Sequence, residues 1–216
     1  MREIRVWILA DRCRGQSGYQ GASLLLPAGR EAAARALQRA QVPEGGGYQL
    51  VHSGWPDFLQ KLFREQIPCS LGEADFLAGQ ISRMDERQLA ALEGAVALRT
   101  EEAPGSPVTG KELVNFTFNL NCYEFRPGVT DDRQLGAACI EGGLFESVDM
   151  LPDEVLELLD LKRVGQEKRR EDQGAFTEKG YVFRNGEAFR EIYDGSHLPE
   201  ISEEQTEGWS QGMKPG

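Results

Sequence analysis

The sequence predicts an α+β fold built from consecutive small modules. Three observations carry that expectation. Strand-like alternation in the first fifty residues gives way to helical periodicity near Pro56. Turn chemistry returns after Asn121, and a second mixture of helices and strands follows it. Acidic residues concentrate late in the chain rather than spreading evenly.

The first module spans residues 1–56. Glu3–Leu9 alternates as a strand does, and Ala22–Leu26 is a second short apolar run closed by Pro27. Arg30–Ala40 is rich in alanine and arginine, both good helix formers. The stretch VPEGGG breaks that helix, and Tyr48–His52 reads as a third strand.

A helical module is expected over 57–118. DFLQKLFREQ is amphipathic. Ser70 and Glu73 stand in capping-box spacing ahead of a helix bearing Phe76, Leu77, Ile81 and Met84. Asp85 is placed to cap a further helix that turns Leu89, Leu92, Val96 and Leu98 towards a core. EEAPGSPVTG is a loop, after which Thr109 or Lys111 opens a helix through Leu113, Phe116 and Phe118.

Residues 119–192 read as an acidic α+β module. Pro127-Gly128 is a turn, and Thr130–Ile140 is a helix with acids in its first turn, where the helix dipole favours them. Pro152–Leu159 and Leu161–Arg170 read as two more helices, and Phe176–Phe183 as a strand or half of a hairpin. Phe116, Phe118, Leu135, Ile140, Leu156 and Phe176 are expected in cores. The segment 193–216 is polar and aperiodic, the composition of a disordered tail.

Among the 216 residues, 24 are basic and 35 acidic, a net charge of -11. Such a field repels nucleic acid and anionic membranes and attracts basic partners. Direct DNA binding would need cations to displace counterions from phosphates. The distribution is uneven. Residues 1–56 carry seven arginines against four acids, whereas residues 111–160 carry eleven acids against three basic residues. The acids Asp131, Asp132, Glu141, Glu146, Asp149, Asp153, Glu154, Glu157 and Asp160 are the candidate binding residues. Asp153, Glu157 and Asp160 are spaced to share one helical face.

Chemistry is harder to find. No phosphate-binding glycine loop or HExxH motif is present. The only histidines are His52 and His197, the first at a strand end where it reads as a surface or packing residue. Cys13, Cys69, Cys122 and Cys139 form no CxxC pair and read as reduced, buried side chains of a cytoplasmic protein. No apolar run approaches the ~20 residues that span a bilayer, and the N-terminus lacks a signal-peptide pattern. No enzyme activity, cofactor or metal is expected. KRVGQEKRR is a short basic stripe, weak as a nucleic-acid site.

Three pieces in order give the chain a resemblance: Asn115–Tyr123 (NFTFNLNCY), Leu135–Glu141 (LGAACIE), and Leu159–Gly165 (LDLKRVG) followed by Gly174-Ala175-Phe176-Thr177. This run resembles the C-terminal half of ArdA-type antirestriction proteins, and ADFLAGQISRMDERQLAALEG is similar to their central region. The resemblance implies an elongated, three-domain, acidic α+β protein that dimerises and imitates bent B-form DNA. It implies as partner a type I restriction–modification enzyme, whose DNA groove the mimic occupies. Leu135–Glu141 corresponds to the family's antirestriction motif; Glu141 keeps one acid of the usual pair, and Gly142 replaces the other. The net +3 of the first 56 residues also departs from the acidic first domain of the family. An acidic module or scaffold for another basic partner, without mimicry, is the competing reading.

Overall fold

The computed structural model describes residues 3–13, 15–142, 152–156 and 158–199, with the side chains of Asp153 and Glu154 excepted. The architecture is α+β, with two small antiparallel sheets and the helices distributed between two compact units. Of the described residues, one unit gathers those within 3–84, 107–118 and 191–199, and the other those within 85–106 and 119–190.

In the first unit, β1 (Ile4–Ala10) runs between β2 (Ala22–Leu26) and β3 (Tyr48–Ser53), antiparallel to both. Register follows the two-residue period of a strand. Val6 lies opposite Leu24 and His52, and Trp7 lies opposite Ser23 and Val51. Ile4, Val6, Ile8 and Ala10 are therefore buried, together with Ala22, Leu24 and Leu26. The opposite face leaves Trp7, Leu25 and Val51 exposed.

Helix α1 (Arg30–Arg39) packs on β2, and α2 (Asp57–Arg64) packs on β3. His52 stacks on Phe63 with ring centroids 3.9 Å apart, beside the buried Trp55. Of the two readings its strand-end position left open, surface or packing, the structure shows packing. Helix α3 (Leu71–Ile81) begins with the expected capping box: Ser70 accepts the Glu73 N–H, and the Glu73 carboxylate accepts the Ser70 N–H. Helix α5 (Gly110–Phe118) packs against α3, where Phe118 meets Phe76 at 5.8 Å.

In the second unit, α4 (Glu86–Glu102) lies on a sheet of order β4-β6-β5. These strands are β4 (Tyr123–Pro127), β5 (Ala175–Phe176) and β6 (Gly180–Arg184). Gly94 gives α4 its seat: a Cβ there would fall 2.3 Å from the Val182 side chain. Helix α6 (Asp132–Glu141) and helix α8 (Leu161–Asp172) pack as a pair, with the short α7 (Asp153–Leu156) between them in sequence. Leu135, Cys139 and Tyr181 form the core under this pair, joined by Val129, Val164, Phe176 and Phe183.

This grouping departs from three consecutive modules. The helical stretch 57–118 is divided: α2, α3 and α5 belong to the unit of the first sheet, and α4 to that of the second. Periodicity shows that a helix has an apolar face but not which element will cover it. The start of the expected tail at 193 is also corrected. Residues 191–199 are part of the first unit, and Tyr193 is buried. The reason lies in Asn115, whose Oδ1 accepts the N–H groups of Ile192 and Tyr193 at 2.8 and 2.9 Å while Nδ2 donates to the Tyr193 carbonyl at 2.8 Å. Residues 200–216 lie outside the described residues. Of the expected core side chains, Phe116 and Leu135 are buried, and Phe118, Ile140, Leu156 and Phe176 are half-buried.

Candidate interaction surface

The candidate acids are carried by the α6–α8 pair and its flanks. Gly136 and Gly165 let the two helices approach until main chain touches main chain. Each helix then opens with an aspartate. Asp131 is the N-cap of α6 and accepts the Gln134 N–H at 2.8 Å. The Gln134 side chain reaches back to accept from the N–H and hydroxyl of Thr130. Asp160 is the N-cap of α8 and accepts from the N–H groups of Lys162 and Arg163 at 3.0 and 3.4 Å. Both aspartates are exposed. Their position is the one where a free helix terminus rewards a carboxylate.

Asp132 has a different surrounding. It is half-buried and pairs with Arg169 at 3.0 Å, and that guanidinium also lies over the Phe176 ring. It is thus a link between α6 and α8 rather than an open surface charge. Glu141 is exposed at the end of α6. Asp153 and Glu154 belong to α7, with side chains outside the described set; Glu146, Asp149 and Glu157 lie outside the described residues altogether.

Close to Asp160, a groove is floored by Ile140, Leu156, Leu159 and Leu161 and rimmed by Arg133 and Lys162. In the KRVGQEKRR stripe, Lys168 and Arg170 pair within their own helix and Arg169 pairs with Asp132 of α6. Lys168 bonds Asp172 at 3.0 Å, and Arg170 bonds Glu167. Asp172 also accepts from the Tyr181 hydroxyl at 3.2 Å. Burial, with the Asp172 charge next to it, pushes the Tyr181 phenol well above its ordinary range. Cys139 is likewise raised by burial. The four cysteines are unbridged.

Other exposed carboxylates of this unit lie outside the stretch 131–160 that holds the candidate acids. Glu101 ends α4, Glu124 stands on β4, and Glu178 sits in the turn before β6; all three are exposed and form no ion pair among the described residues. Nothing in their local sequence marks them, because each is a lone acid or in an ordinary helix end. Among the described residues, no group of three or more His, Cys, Asp or Glu could hold a metal ion, and no helix is long and apolar enough to cross a membrane.

No family model matches the chain, and neither a curated protein nor a solved structure matches it.

Proposed function

We propose that this protein is a cytoplasmic, non-enzymatic antirestriction protein that acts as a B-DNA mimic and occupies the DNA groove of a type I restriction–modification enzyme. The observation that carries the reading is the charge of residues 111–160, eleven acids against three basic residues, within pieces that resemble the ArdA family. Exposure of Asp131, Glu141 and Asp160 supports it, and Glu101, Glu124 and Glu178 extend the set. Duplex DNA bears one charge per ~1.7 Å of axis, so a mimic needs many carboxylates, each contributing little. The family resemblance also implies a homodimer.

A second reading has its own observation. Asp131 and Asp160 already cap helices, and Asp132 is already neutralised by Arg169. Acids with local structural work are what an acidic module for some other basic partner would also show.

Competition decides between them. A purified type I enzyme is titrated with this protein in the presence of labelled duplex DNA. Mutually exclusive binding, weakening with salt as exposed charges are screened, is the expected result. Simultaneous binding of protein and DNA to the enzyme would remove mimicry and leave the second reading. Absence of any binding would remove both for this partner.

A further inference from the structure

Strand β6 ends at Arg184, and the exposed pair Asn185-Gly186 follows it. The main-chain N–H of Asn185 donates to the Cys122 carbonyl at 3.1 Å. Its side-chain amide is held at both ends. Nδ2 donates to the Asn121 carbonyl at 2.7 Å, and Oδ1 accepts the N–H of Glu187 at 3.0 Å. A donor at one end and an acceptor at the other fix which atom is oxygen. Glu187 is itself tethered, because the Asn121 side-chain amide donates to its carboxylate. Gly186 has φ +86 and no side chain to hinder attack by its main-chain nitrogen on the preceding side-chain amide.

We propose that Asn185 is a site of spontaneous deamidation, with the Gly186 main-chain nitrogen as nucleophile and the Glu187 N–H as the donor that stabilises the developing oxyanion. The Gly186 N–H loses its proton to hydroxide, and the nitrogen forms a bond to Asn185 Cγ. The carbonyl electron pair moves onto Oδ1, where the Glu187 N–H already points. A preorganised donor at the atom that gains charge lowers such a barrier, and the attack is intramolecular. Collapse breaks the Cγ–Nδ2 bond, and Nδ2 takes a proton from water and leaves as ammonia. The cyclic imide that remains is opened by a second water, giving aspartate or isoaspartate. The net change consumes one water and releases one ammonia, and nothing is oxidised or reduced.

The product disturbs its surroundings. A carboxylate at 185 has no proton for the Asn121 carbonyl and adds a like charge beside Glu187. An isoaspartate also inserts a carbon into the main chain after β6. Either product loosens the turn at Glu187, ahead of the Asn119 clamp on Arg190, and makes the protein more acidic. Asn115, Asn119 and Asn121 are followed by Phe, Leu and Cys, whose side chains hinder the same attack.

The test is peptide mapping by mass spectrometry after incubation of the intact protein at mildly alkaline pH, in buffer and in urea. Conversion is expected at Asn185 ahead of every other described asparagine, at a native rate equal to or above that of the unfolded chain. A native rate below the unfolded rate overturns the proposal, because the contacts at the amide would then protect it. Glu187→Pro, which lacks the N–H, is expected to slow the native reaction but not the unfolded one, whereas Glu187→Gln leaves both alone. An unchanged native rate in a folded Glu187→Pro protein would also overturn the oxyanion role. Wild-type rates in the two solvents need no variant to fold.

Discussion

Gly136 and Gly165 meet where α6 crosses α8, and neither position has room for a side chain. A Cβ on Gly136 would lie 1.8 Å from the Leu161 carbonyl oxygen, and one on Gly165 would lie 1.7 Å from that of Asp132. The obstacle is main chain on both sides, so no rotamer change relieves it. Gly136→Ala or Gly165→Ala should therefore destabilise the second unit by ~1–3 kcal/mol or more, the usual cost of overpacking. Urea unfolding monitored by circular dichroism measures it, and a loss below ~0.5 kcal/mol would mean that the helices can separate without penalty.

The capping aspartates allow stability and binding to be separated. Asp131→Asn and Asp160→Asn remove charge but keep a good N-cap, whereas the alanine variants cost ~0.5–2 kcal/mol each. In the competition assay, the Asn variants should be folded like the wild type. A single exposed charge is worth ~0–1 kcal/mol, so each should weaken binding only slightly. Combination with Glu141→Gln and Glu124→Gln should weaken it clearly. Undiminished inhibition by that quadruple variant would assign these acids to folding alone.

Asp132 should behave otherwise. Replacement by Asn breaks the pair with Arg169, a guanidinium that also covers Phe176. The expected loss is ~1–3 kcal/mol, because a partly buried cation is left without its carboxylate. A double-mutant cycle with Arg169→Gln tests this, and additive losses would show that the two side chains are uncoupled.

Half-buried His52 predicts a pH dependence. Burial lowers its pKa from 6.5 to about 4, so the native state holds the imidazole neutral. The unfolded chain binds a proton first as pH falls. Stability from this group is thus complete above the unfolded pKa and declines as pH drops towards the folded one, by at most ~1.4 kcal/mol per pH unit. His52→Phe keeps a ring against Phe63 and should flatten the midpoint-versus-pH curve over that interval. An unchanged slope would place the acid sensitivity elsewhere.

The elements were legible where local physics decides them. The alternation of Ile4–Ala10, the capping box at Ser70 and Glu73, and the cap at Asp85 all stand where their residues suggested. The assignment of α4 to the second sheet was not legible. It depends on Gly94 meeting Val182, residues 88 positions apart, whose fit only appears in three dimensions. The candidate site was legible by composition alone. Charge counting found Asp131, Asp132 and Asp160, but could not tell an exposed cap from an acid paired with Arg169. It also missed Glu101, Glu124 and Glu178, which reach the surface of the same unit from separate stretches of chain.

Asn115 and Asn119 hold the segment 190–193 entirely through its main chain. Asn119 donates to the Arg190 carbonyl and accepts its N–H, both at 2.8 Å, and Asn115 does the equivalent for Ile192 and Tyr193. Peptide groups are the same in every residue but proline. Random mutagenesis should therefore find Arg190 and Ile192, both exposed, broadly interchangeable, with proline the one residue refused. At 115 and 119, even aspartate should fail, since it accepts but cannot donate. Two amides thus make the chain intolerant at its own end of the contact and permissive at the other.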